Sequence, residues 1–65
     1  MTKQVNRYYY YDEHTRNIFY STEEQTERFD LIYLGETENP NVRMAATSFV
    51  KQLDRPFGHR VINLD

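Results

Sequence analysis

The stretch Arg7-Tyr8-Tyr9-Tyr10-Tyr11-Asp12-Glu13-His14-Thr15-Arg16-Asn17-Ile18-Phe19-Tyr20 decides how this chain is read. It gathers six of the ten Phe and Tyr residues into thirteen positions. Tyrosine, phenylalanine and isoleucine favour the pleated, half-buried surface of a strand, whereas Asp12 to Asn17 is polar and turn-forming. The pattern predicts a β-hairpin, with a first strand from Gln4 to Tyr11 and a return strand from Ile18 to Ser21 or Thr22. Successive strand residues face opposite sides, so the four adjacent tyrosines cannot all lie under one small core. Two of them are expected to face solvent or a partner. The expected contact residues are Arg7, Tyr8, Tyr10, Arg16 and Tyr20, with Tyr9 and Tyr11 taking over if the register differs by one.

Downstream, residues 21–35 admit two readings. Ser21 with Glu24 fits a capping box and Gly35 a helix end, which would make 22–34 helical. Phe29, Leu31, Ile32, Tyr33 and Leu34 are, however, bunched and lack helical spacing, which favours a polar loop and then a strand from Phe29 to Gly35. The next element is plainer. Asn39 suits an N-cap and Pro40 the first helical position, and Val42, Ala45, Ala46, Phe49, Val50 and Leu53 form the apolar stripe of a helix lying on a core. Pro56 ends it by disfavouring helical geometry at Arg55. His59 to Leu64 reads as a short final strand at a sheet edge.

The expected architecture is therefore α+β in one domain, residues 1–65. It comprises a three-stranded antiparallel β-meander, one amphipathic helix packed on it and a short C-terminal strand. A chain this short has little volume for a core, and small domains commonly add disulfides, metals or oligomerisation. With no cysteine the first is excluded, and self-association as a homodimer is an expectation. No apolar run reaches the about 20 residues that span a bilayer, and no secretory signal pattern stands at the N-terminus, so the cytoplasm of the producing or infected cell is the expected location.

Charge is uneven. Residues 12–38 carry eight acids against Arg16 and Arg28, a balance of −6, within a chain of net charge −2. His14 and His59 are the only imidazoles, too few N or S donors for structural zinc, so no metal or other cofactor is expected. Neither a nucleophile elbow nor a phosphate loop occurs, and no catalytic residue is expected.

Arg43, Thr47, Lys51 and Arg55 recur every four residues and define a row on the helix that could meet phosphates, and Arg7 and Arg16 interleave with Tyr9, Tyr11 and Tyr20, rings on which bases could stack; together these are the basis of a nucleic-acid-binding alternative. Ten acids against eight Lys and Arg weigh against it. Tyr9 to Arg16 resembles the first hairpin of WW domains, but both signature tryptophans are missing and the proline clamp does not carry over. A three-stranded sheet ending Leu34-Gly35, followed by a helix containing Ala45-Ala46, is similar to AP2-type and integrase arm-type DNA-binding domains, which lay a basic sheet in the major groove, whereas acids dilute this one.

The reading that results is a non-enzymatic protein-interaction module, a small regulator or inhibitor of the phage or mobile-element kind, docking through its aromatic hairpin. Tyrosine and arginine suit that role because they bring large contact area and a polar tip.

Overall fold

A computed structural model describes residues 5–25 and 30–65. Its elements are β1 (Arg7–Asp12), β2 (Asn17–Ser21), β3 (Ile32–Thr37), α1 (Val42–Leu53) and β4 (Val61–Asn63). The class is α+β, with one helix on a mixed four-stranded sheet. The hairpin forms where its sequence places it. Asp12 pairs with Asn17 at the closed end, Arg16 takes a positive φ of 63°, and its N–H donates to the Asp12 carbonyl at 2.7 Å. Gln4 and Phe29, the expected starts of the first and third strands, lie outside the described residues, but Val5, Asn6, Asp30 and Leu31 are not in strands, so β1 and β3 begin later than expected and β3 runs on to Thr37.

Strand order is the main correction. A meander would put β2 in the middle, but the order is β3-β1-β2-β4, with β1 central and both β2 and β3 antiparallel to it. Ten residues separate β2 from β3. Strands lie about 4.8 Å apart, so such a link easily reaches across two strand spacings to the far side of β1. β4 is an edge strand, as expected, and runs parallel to β2, with Ile18 accepting its place beside Val61 through the Ile18 N–H to Arg60 carbonyl bond.

The helix begins two residues later than its sequence suggested. Asn41 is the N-cap, its side chain accepting the Met44 N–H at 3.1 Å, while Asn39 accepts the Asn41 N–H in the turn before it. Asp54, in the left-handed conformation, closes the other end, ahead of Pro56. The predicted stripe reaches the core. Ala45 and Ala46 are buried against Tyr9, Tyr11 and Ile18, with Tyr20, Ile32, Leu34, Phe49, Val50, Leu53, Phe57 and Val61 packed around them. Small side chains at 45 and 46 let the helix approach closely enough for the tyrosine rings to fill the layer between, each ring contributing a large buried area.

Gly35 serves the same layer. It stands opposite Tyr9 at a register shift in the β1–β3 pairing, with φ +141°, and a Cβ there would meet the Phe49 ring at 2.9 Å. Phe49 in turn packs on the Tyr9 ring, centroids 5.2 Å apart. At the hairpin end, the Tyr11 hydroxyl donates to the Pro56 carbonyl and the Gly58 N–H to the Arg16 carbonyl, which tie the post-helix loop to the turn.

Candidate functional site: the sheet face opposite the helix

Register sorts the tyrosines. Tyr9 pairs with Tyr20 and Tyr11 with Ile18, so these four face α1; Tyr8 and Tyr10 face the other way, with Ser21 and Phe19 as their β2 partners. Tyr8 and Tyr10 thus share the face turned away from the helix, a parity that the sequence leaves open. Tyr20 does not join them: it stacks on Tyr9 at 5.8 Å beneath the helix. Arg7, alternating with Tyr8, is also on the helix side, and Arg16 is exposed in the turn. The five expected contact residues do not make one patch.

The premise that two of four adjacent rings must stay uncovered also fails. Tyr9, Tyr10 and Tyr11 are 0%, 3% and 2% exposed, and Tyr8 alone is half-buried. Alternation still operates, but both faces are covered at β1. The helix covers one, and on the other the Tyr33 ring stands 5.5 Å from that of Tyr10 while the Tyr10 hydroxyl accepts the Gln25 N–H at 2.7 Å, tying the start of the post-β2 segment to it. A central strand gains this protection that an edge strand of a meander lacks.

What remains on the second face is a transverse row. Tyr33 of β3 pairs with Tyr10 of β1, Tyr10 with Phe19 of β2, and Phe19 with Ile62 of β4, so one apolar side chain from each strand stands in line across the sheet. Tyr10 is its covered centre. Tyr33 is 50% exposed, with its ring 5.5 Å from that of Tyr10, and Phe19 and Ile62 are half-buried. Tyr8 adds a fifth, in the neighbouring row beside Glu36.

Among the described residues at paired strand positions, the charged side chains sharing this face are Asp12 and Glu36, both acidic. The Tyr33 phenol is pushed above its ordinary value, first by partial desolvation and then by the Glu36 and Glu24 carboxylates. At the β2 end, Asp65 accepts from Ser21 Oγ at 2.7 Å, from Thr22 N–H at 3.1 Å and from Thr22 Oγ1 at 3.0 Å. These bonds, the Ser21 one foremost, hold its carboxyl below the usual range. Ser21, wholly buried, also accepts from the Glu23 N–H, so its side chain builds a turn and no helix starts there.

The basic row on the helix is only partly assembled. Arg43, Thr47 and Lys51 are exposed on one side of α1, with Thr47 Oγ1 donating to the Arg43 carbonyl. Arg55 lies beyond the C-cap and pairs with Glu13. A depression of about 440 Å³ there is lined by Asn41, Arg43, Met44, Thr47, Ser48 and Lys51. All of these belong to the helix and its cap, so among the described residues no second element walls it. Two cations on one helix face give little phosphate attraction, since that affinity grows with each phosphate neutralised.

Among the described residues no cluster of His, Asp or Glu could hold a metal, and no helix is long and apolar enough to cross a membrane. Comparison with protein-family models, curated proteins and solved structures finds no match to this chain, so the site is read from its own residues. Sequence reasoning missed Phe19, Tyr33 and Ile62. Phe19 was within reach, because closing the hairpin at Asp12 and Asn17 places it opposite Tyr10. Tyr33 and Ile62 join through pairings distant in sequence, which no local pattern encodes.

Proposed function

We propose that this chain is a non-enzymatic protein-docking module, a small regulator or inhibitor, whose contact surface is the sheet face opposite α1. The observation that carries the reading is the row Tyr33, Tyr10, Phe19 and Ile62, which crosses all four strands without a charged side chain. Its outer members keep part of their apolar surface in water, and a partner that covers them gains about 25 cal/mol for each Å² removed. Tyr33 and Tyr8 bring polar tips to the rim, the property that makes tyrosine frequent at binding hot spots. The helix face lacks this arrangement, because its one large exposed apolar residue, Met44, stands among polar neighbours.

A photo-crosslinking residue at position 19 should capture a discrete partner protein in producing cells, and the same residue at position 44 should not. The purified pair should then lose at least about tenfold in affinity on Phe19→Ser with Ile62→Ser. Unchanged affinity in that double variant, with its fold intact by circular dichroism, would overturn the reading.

A further inference from the structure

We propose that the outer edge of β3 receives an extended segment of a basic partner protein as a fifth strand, alternate partner side chains entering the groove between β3 and α1. The proposal rests on the docking reading above and names how the partner is held.

β3 is at one end of the sheet order and runs for six residues, whereas the opposite edge, β4, has only three. Among the described residues, no backbone hydrogen bond outside the sheet engages Ile32–Thr37. An edge in that state offers unpaired N–H and C=O groups, which pair readily with another extended chain. Beside it lies a groove of about 230 Å³ lined by Tyr33, Leu34, Phe49, Gln52 and Leu53. Small-molecule sites generally start near about 300 Å³, so this one suits a side chain better than a metabolite.

Strand geometry links the two features. In a strand laid along β3, every second side chain falls on the helix side, at the Leu34, Phe49 and Leu53 wall, and the others fall beside Tyr33. The latter would extend the transverse row by one position. They would also meet Glu36, with Glu38 at the strand's end and Glu24 in the field around Tyr33, which is why the occupant is basic. A second copy of β3 would bring the same acids with it and repel. The register shift opposite Tyr9 and Tyr10 keeps the edge from being long and flat, which selects a short segment and discourages open-ended stacking.

The test uses a short peptide alternating valine and lysine, its valine–glutamate counterpart, and the valine–lysine peptide N-methylated at every second residue, in two versions that block either backbone edge. The expected result is binding of the first, slowed amide exchange along Ile32–Thr37, and loss of binding in the other peptides. Glu36→Lys and, independently, Gln52→Trp should each weaken binding at least about tenfold while the melting temperature stays put. Equal binding by the glutamate peptide or by both N-methylated versions overturns the proposal. So does protection confined to β4 or α1, or a doubled mass of the free protein at the titration concentration. If the captured partner depends on Phe19 and Ile62 yet leaves the β3 amides exchanging freely, the edge fails and docking stands. If the peptide pairs with β3 but the row substitutions leave partner affinity unchanged, docking by the face fails and the edge stands.

Discussion

The Tyr10 hydroxyl accepts the backbone N–H of Gln25 at 2.7 Å, and this bond ties the start of the segment after β2 to a ring that alternation alone would leave uncovered. The sheet consequently buries three consecutive tyrosines without breaking the strand period.

Tyr10→Phe keeps the ring and removes the acceptor. The Gln25 N–H then loses its partner in a part-buried setting, which costs about 1 kcal/mol, and the segment over the second face loosens. Urea unfolding should register that loss, and Gln25 amide exchange should accelerate more than that of the β1 amides.

Gly35 answers two demands at once, a φ of +141° that side chains rarely adopt and a Cβ position 2.9 Å from the Phe49 ring. Gly35→Ala should destabilise by about 1–3 kcal/mol, combining backbone strain with overpacking. Phe49→Leu in the same chain should recover the packing share but not the strain. Full recovery would mean that the backbone conformation is not strained for alanine.

Much of this fold was legible because its signals are local. Asp12 to Asn17 marks the hairpin turn, and the Ala45, Ala46, Phe49 and Leu53 spacing marks the helix face that reaches the core. The neighbour order was not legible, since the ten residues between β2 and β3 permit a return to either side of the hairpin. That choice decides the site: it moves β1 to the centre, buries Tyr10, and brings Tyr33 into line with Phe19. Tyr20 was legible as well, since the closure at Asp12 and Asn17 that sets Phe19 opposite Tyr10 also sets Tyr20 opposite Tyr9, on the other face from Tyr8 and Tyr10.

Acid should act on the clamp at the end of β2. The Asp65 carboxyl is held below its ordinary value of 3.8, so the folded state binds fewer protons than the unfolded one in that range. Its contribution is complete above about pH 4 and is lost as pH falls through the lower folded value. Asp12 is lowered too, chiefly by the His14 N–H, and acts in the same window. Asp65→Asn should flatten part of the acid slope of stability, and Asp12→Asn a separate part; Thr22 amide shifts should follow the first and His14 shifts the second.

Tyr9 carries the opposite sign at the other end of the pH scale. Its ring is wholly buried, its hydroxyl has no hydrogen-bond partner among the described residues, and burial raises its phenol above the ordinary value of 10.0. Below pH 10 the phenol is neutral in both states and costs only the unsatisfied hydroxyl, about 1–3 kcal/mol. As pH rises past 10 the unfolded chain ionises first, and stability falls until the raised folded value is passed. Tyr9→Phe removes both effects while keeping the packing against Tyr20 and Phe49. It should raise stability by about 1 kcal/mol at neutral pH and shallow the alkaline decline, both read from urea midpoints between neutral pH and the alkaline limit. A loss of stability in this variant would mean that the hydroxyl holds a hydrogen bond in solution, bringing water into a layer that the rings of Tyr20 and Phe49 otherwise close.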